Sequence, residues 1–197
     1  MEKSRLKVMA LAIVMLLFSA AGAFAQSGNL LTNGDANQGL NGWTEPLGGN
    51  EWVTGTTSPS YSFDPISGPY FYPKNFKGLR ESGAPDWKAR GGKYTQLMQT
   101  VSVPSSYAGR TMTLSADARG DIDSGDAVIL QVRCFDSSNK MLASKDSNYA
   151  RGGKWQKIKA SLVVPSGTVK VEVGLFVHRL LGSYADGYID NVSLTVQ

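Results

Sequence analysis

From residue 93 to its end, this chain is written as a succession of short strands, and that pattern leaves few folds open to it. Residues 111–119 alternate without exception, with Met112, Leu114, Ala116 and Ala118 on one side and Thr113, Ser115, Asp117 and Arg119 on the other. A period of two marks a strand with one buried face, because successive side chains point to opposite faces of a sheet. The same period runs through 154–164, with Ile158, Ala160, Leu162 and Val164 inward. It returns in 168–178, with Val169, Val171, Val173, Leu175 and Val177 inward. Residues 94–103, 127–135 and 188–196 complete the set, separated by Gly-, Ser-, Asp- and Pro-rich turns and one loop at 180–187. No helical period of useful length appears outside the first 25 residues. The spacing predicts an all-β chain folded as an antiparallel β-sandwich of the jelly-roll kind.

The first 25 residues stand apart from that sandwich. Lys3, Arg5 and Lys7 make a positive start, residues 8–18 an apolar run, and Ala23-Phe24-Ala25 a small-residue cleavage site. The run is shorter than the roughly 20 residues a membrane span needs. We read it as a signal peptide cut after Ala25. Residues 26–197 then form a single domain with no membrane span, expected as a monomer, secreted or held in the periplasm or at the cell surface. Cleavage lowers the formal net charge from +4 to about +2. The Lys and Arg residues are scattered singly, without the basic stripe that a nucleic-acid binder needs. Cys134 is the single cysteine, so no intrachain disulfide exists despite the oxidising destination. Its parity with Val128, Leu130 and Val132 makes it a small core residue.

Between residues 58 and 92 the strand signal disappears. Five prolines interrupt this stretch, among Tyr61, Phe63, Tyr70, Phe71, Tyr72, Phe76 and Trp87. A connection that long in a compact domain is usually functional or disordered, and so many aromatics argue against disorder. Its rings, Trp87 and at least one of Tyr70, Phe71 and Tyr72, are expected at the surface.

The two ends of the domain carry a motif each. The opening, Asn29-Leu30-Leu31-Thr32-Asn33-Gly34-Asp35-Ala36-Asn37-Gln38-Gly39-Leu40-Asn41-Gly42-Trp43, reads as a short apolar strand, a Gly/Asn/Asp turn and a Trp re-entering the core. The closing, Gly187-Tyr188-Ile189-Asp190-Asn191-Val192-Ser193-Leu194, is an alternating strand with one acid in it. Together they resemble the ends of galactose-binding-like β-sandwiches, in particular carbohydrate-binding modules of the CBM4/9/22 type. The segment around Tyr94-Thr95-Gln96-Leu97-Met98-Gln99 and the phrase Gly153-Lys154-Trp155-Gln156-Lys157 are similar to that family too. A more distant similarity is to the sugar-binding domain attached to some F-box proteins. The resemblance implies that Trp43 and Trp155 sit in the core. It also implies a structural calcium held by turn carbonyls, an opening-turn Glu and the closing-strand Asp. Asp190 matches, whereas Asn37 stands where the Glu would be, so one ligating charge is missing. Oxygen-only ligands suit that hard cation.

The chemistry the residues can support is narrow. Triads and zinc sites usually need histidine, and His178 is the only one. It reads as a surface strand-end residue able to donate to a sugar hydroxyl. Asp and Glu are plentiful, but no motif nominates the facing pair that glycoside hydrolysis uses. The acidic run at 121–126 reads as a hairpin turn, with a calcium loop as the alternative. Sugar binding remains, because sugars offer apolar ring faces and belts of hydroxyls to aromatics and planar polar groups. Two groups fit: the aromatic stretch with Tyr70, Phe71, Tyr72 and Trp87, and a polar sheet face with Asp117 and Arg119, Gln131 and Arg133, Glu172 and His178. The second requires the three strands to be neighbours. The expected function is a secreted, non-catalytic carbohydrate-binding module for a poly- or oligosaccharide. Its rivals are a cell-surface or matrix adhesion protein that binds protein on the same sandwich, and a small glycan hydrolase.

Overall fold

The structure, a computed structural model, describes residues 28–46, 52–56, 68–74, 93–121, 125–179 and 185–197. Residues 1–25, read above as a signal peptide, Trp87 and most of the aromatic stretch lie outside the described residues.

Ten strands carry the fold among the described residues. They are β1 (Trp52–Gly55), β2 (Tyr70–Pro73), β3 (Lys93–Ser102), β4 (Thr111–Gly120), β5 (Ala127–Phe135), β6 (Met141–Asp146), β7 (Ala150–Arg151), β8 (Gln156–Val163), β9 (Lys170–Arg179) and β10 (Gly187–Val196). They form two antiparallel sheets. The first runs β1-β2-β10-β4-β8, and the second β3-β9-β5-β6 with β7 also paired to β5. The alternating residues meet between the sheets. Met112, Leu114, Ala116 and Ala118 of β4 and Ile158 and Ala160 of β8 face Leu97, Val128, Leu130, Val132, Cys134, Val171, Val173, Leu175 and Val177 from the second sheet. Each Leu or Val so buried contributes about 1.5–3 kcal/mol. The antiparallel sandwich is therefore as expected, and Cys134 is in its core, where burial raises the thiol pKa.

Side-chain amides close the two ends of the chain onto one another. Asn29 Oδ1 accepts the N–H of Leu194 at 2.8 Å, and its Nδ2 donates to the Val192 carbonyl at 2.9 Å. Gln99 clasps Thr32 twice, accepting its N–H at 2.7 Å and donating to its carbonyl at 2.9 Å. Gly34 is obligatory here, since a Cβ would lie 2.0 Å from the Val192 oxygen. That oxygen belongs to a bulge in β10, where the register with β4 shifts between Asp190 and Ser193 and Asn191 takes a left-handed φ of 53°.

Four details differ from the sequence reading. Tyr70–Pro73, expected in a loop, is a strand that pairs β1 with β10. Met141–Asp146 is an edge strand that polar composition concealed. Residues 30–31 form no strand, and a single backbone bond from Leu30 N–H to the Leu194 carbonyl holds them. Val169, placed inward by parity, is 44% exposed because β9 begins only at Lys170.

Candidate functional site

Residues opposite each other on antiparallel strands share a face, so the registers define the outer face of the second sheet row by row. Across β3, β9, β5 and the outermost strand the first row is Tyr94, His178, Ala127 and Arg151. Gln96, Phe176 and Ile129 form the second row. Met98, Gly174, Gln131 and Asp146 form the third, and Thr100, Glu172, Arg133 and Ser144 the fourth.

The upper rows carry an aromatic cluster in which Tyr94 and Phe176 are buried, at 5% and 4% exposure. Tyr94 and Phe176 lie 5.8 Å apart with their planes tilted by 55°, Ile129 packs with them, and half-buried Tyr149 closes against the cluster. Burial raises the Tyr94 hydroxyl pKa, and Arg133 opposes that by stabilising the phenolate. Gly174 decides where Phe176 lies. A Cβ there would come within 2.5 Å of the ring, so only glycine lets the phenyl group lie along the sheet.

The lower rows are polar and partly open. Gln131 Nε2 donates to Asp146 Oδ1 at 2.8 Å. Arg133 Nη2 is 3.1 Å from Glu172 Oε2 and also donates to Met98 Sδ at 3.5 Å. Gln96 Nε2 contacts the same sulfur. Lys170 reaches Glu172 Oε1 at 3.3 Å, and both cations border the Phe135 ring. These partners hold the planar groups in fixed orientations on a rigid sheet, which is what recognition of hydroxyl patterns requires.

The structure brings Gln131, Arg133, Glu172 and His178 onto this one face and leaves Asp117 and Arg119 elsewhere. β4 pairs with β10 and β8 in the first sheet, so the expected three-strand patch is divided between opposite sides of the sandwich. Asp117 is instead tied to Lys157 at 3.4 Å and to Asn191 Nδ2 at 3.0 Å. Arg119 stands opposite Tyr188. His178 is not a surface residue. It is wholly buried within the first row.

The aromatic expectation also needs correction. Tyr70 and Phe71 are wholly buried and Tyr72 nearly so. Phe71 points into the core beside Trp43, at 5.3 Å. Tyr70 and Tyr72 point the other way, to the outer face of the first sheet, where they pack with Tyr188 and partly buried Trp155. Trp43 is thus a core residue as expected, whereas Trp155 covers an outer face. Sequence reasoning passed over Tyr94, Gln96, Met98, Tyr149 and Phe176. The available signal was Phe176, an aromatic at the outward parity of an otherwise alternating strand.

For the metal, Asp190 is a wholly buried carboxylate on the first sheet's outer face, directly opposite Asp117. Its Oδ1 accepts the Asn191 N–H at 2.7 Å. Asn37 is exposed, its Nδ2 bonded to Asp35 Oδ2 at 2.7 Å and its Oδ1 turned toward Gly68. No hydrogen bond joins Asn37 to Asp190 among the described residues. Both border the same stretch, since Gly68 leads into β2 and Phe71 pairs with Ile189. No group of three or more His, Cys, Asp or Glu side chains gathers there or elsewhere among the described residues.

With the geometry in hand, comparison with solved structures is informative about architecture. The xylan-binding domain of CBM22 superposes with a TM-score of 0.54 at 12% identity, covering 87% of this chain and 97% of that one. TmCBM61, solved in complex with β-1,4-galactotriose, superposes with a TM-score of 0.52 at 17% identity, covering 86% of this chain and 99% of that one. The fold is that of the carbohydrate-binding modules. The enzymatically active domain of tailspike protein 4 from bacteriophage CBA120 also matches, with a TM-score of 0.55 and 18% identity over 86% of this chain. This chain spans only 21% of that protein. The sequence matches no family model and no curated relative.

Proposed function

We propose that the chain is an exported, non-catalytic glycan-binding module, and that the outer face of the second sheet is where a poly- or oligosaccharide lies. The observation that carries the reading is that face itself. Half-buried Tyr149, backed by the buried rings of Tyr94 and Phe176, shares that face with oriented planar groups, Gln131 on Asp146 and Arg133 on Glu172. Apolar ring faces and hydroxyl edges of a sugar match those two halves. The likeness in fold to modules solved with or named for galactotriose and xylan supports it. Among the described residues no helix is long and apolar enough to cross a membrane.

A structural calcium belongs to the same proposal. Its donors would be Asp190 and Asn37 with turn carbonyls, an oxygen set that suits a hard cation. A single carboxylate makes the affinity modest.

A glycan array with the purified protein, followed by affinity gels on galactan and xylan, tests the reading. Gln131→Ala and Arg133→Ala should each weaken retention roughly tenfold, equivalent to about 1.4 kcal/mol, with melting temperatures near the parent's. Retention of neither glycan class, or equal retention by both variants, overturns it. Release of reducing ends from any bound glycan would overturn the non-catalytic part.

A further inference from the structure

The charges on the outer face of the second sheet are not alike. In the fourth row Arg133 is neutralised, because Glu172 takes it at 3.1 Å and is shared with Lys170 at 3.3 Å. At the other end, Arg151 is exposed and pairs with no carboxylate among the described residues. It is nevertheless held in place. Its guanidinium lies 4.6 Å from the centroid of the Tyr149 ring, and Tyr149 packs against the Tyr94, Ile129 and Phe176 cluster. Its backbone is fixed in register opposite Ala127, in the same row as His178 and Tyr94. A stacked guanidinium is pre-organised to present its remaining N–H groups, and its planar fork matches carboxylate and sulfate oxygens.

We infer that Arg151 is an anion-reading group at the edge of the glycan face, and that the favoured ligand carries acidic sugars, with a carboxylate or a sulfate ester set over the Arg151–Tyr149 stack. This rests on the glycan-binding reading above. The tyrosine supports the guanidinium, the guanidinium meets the anion, and the half-buried Tyr149 ring, backed by buried Tyr94 and Phe176, flanks the adjoining sugar. The internal pairing of Arg133 means that the fourth row adds no comparable attraction for an anion.

Matched polymers isolate the charge. The purified protein is run in affinity gels with polygalacturonate and with its methyl ester, which share a backbone and differ in the carboxylate. Carrageenan and agarose give the corresponding comparison for sulfate on a galactan, and pectic galactan serves as a neutral reference. The acid form of at least one pair should be retained more strongly than its neutral counterpart, and added salt should reduce that preference as it screens the pair. Arg151→Gln should shrink the difference between acid and neutral forms by up to about fivefold, the upper range of an exposed ion pair. Arg151→Lys, which keeps the charge but not the fork, should retain part of it. Which pair responds tells carboxylate from sulfate. Equal retention of acid and neutral forms by the parent overturns this inference alone if pectic galactan is bound. An undiminished preference in Arg151→Gln also overturns it. Retention of no polymer at all overturns the glycan-binding reading, and this inference with it.

Discussion

Both sheets present aromatic residues on their outer faces, and the two faces use them in opposite ways. On the first sheet Tyr70 meets Tyr72 at 5.6 Å, Tyr188 at 5.6 Å and Trp155 at 5.9 Å, while Tyr72 meets Tyr188 at 5.9 Å. Rings satisfy rings there, and the cluster is a second small core. On the second sheet the pair Tyr94 and Phe176, buried as well, is set among amides, a thioether and ion pairs. Aromatic density alone therefore does not mark a binding face. The proposed glycan face rests instead on rings beside oriented polar groups, because a sugar needs both a flat apolar surface and fixed hydrogen-bond partners.

The largest expected effect tests the first half of that contrast. Tyr70→Ala should cost roughly 3–5 kcal/mol of stability, as truncations of buried aromatics do, while the folded protein retains glycan as the parent does. Urea melts beside affinity gels check it. Weakened retention with stability intact would make the first face a binding face and erase the distinction. Gly174→Ala tests the second half, since the new methyl would meet Phe176 at 2.5 Å. Overpacking of this kind costs about 1–3 kcal/mol, and lifting the ring should change glycan retention as well. A variant with parental stability and parental retention would show that Phe176 is not held as described.

Two smaller effects sharpen the account of the first face on either side of Tyr188. Calcium at about tenfold excess over its dissociation constant should stabilise the protein by about 1.4 kcal/mol. Asp190→Asn should abolish the shift between calcium and chelator in thermal melts. An equal shift in parent and variant removes Asp190 from the site. Asp186 has its pKa pushed up from 3.8 to about 6, first by burial and then by Asp126 and Asp121. Between those two values the folded state holds a proton that the unfolded state has released. The stabilisation is therefore full below about pH 4 and lost as pH rises through about 6. Asp186→Asn should flatten that decline by on the order of 1 kcal/mol, after allowance for solvent screening. Denaturant melts at pH 4 and pH 7 measure it, and identical pH dependence in parent and variant would contradict it.

Much of the fold was legible because parity is local. The alternation of Met112, Leu114, Ala116 and Ala118 named the buried side of β4, and all four are wholly buried. The parity of Cys134 placed it correctly as well. Two of the strands that escaped notice did so for opposite reasons. Tyr70–Pro73 is buried on both faces and so has no alternation, while Met141–Asp146 lies at an edge and is mostly exposed. The site was legible only in part. Gln131, Arg133 and His178 do share a face, whereas Arg119 does not.

By itself the sequence determined which side chains on each strand are set against which, because a two-residue period follows from backbone geometry alone. It determined the inward sets and the conjunction of the opening and closing motifs at the two ends of one domain. Only the tertiary structure decided which strands are neighbours. β4 joins β10 and β8 rather than β5, and that separation sends Arg119 and Arg133 to opposite sides of the sandwich. It also decided that His178 is buried and that Arg151 lies in its row, at the end opposite Tyr94. Strand order is settled by pairings between residues far apart in the chain, and no local period encodes them.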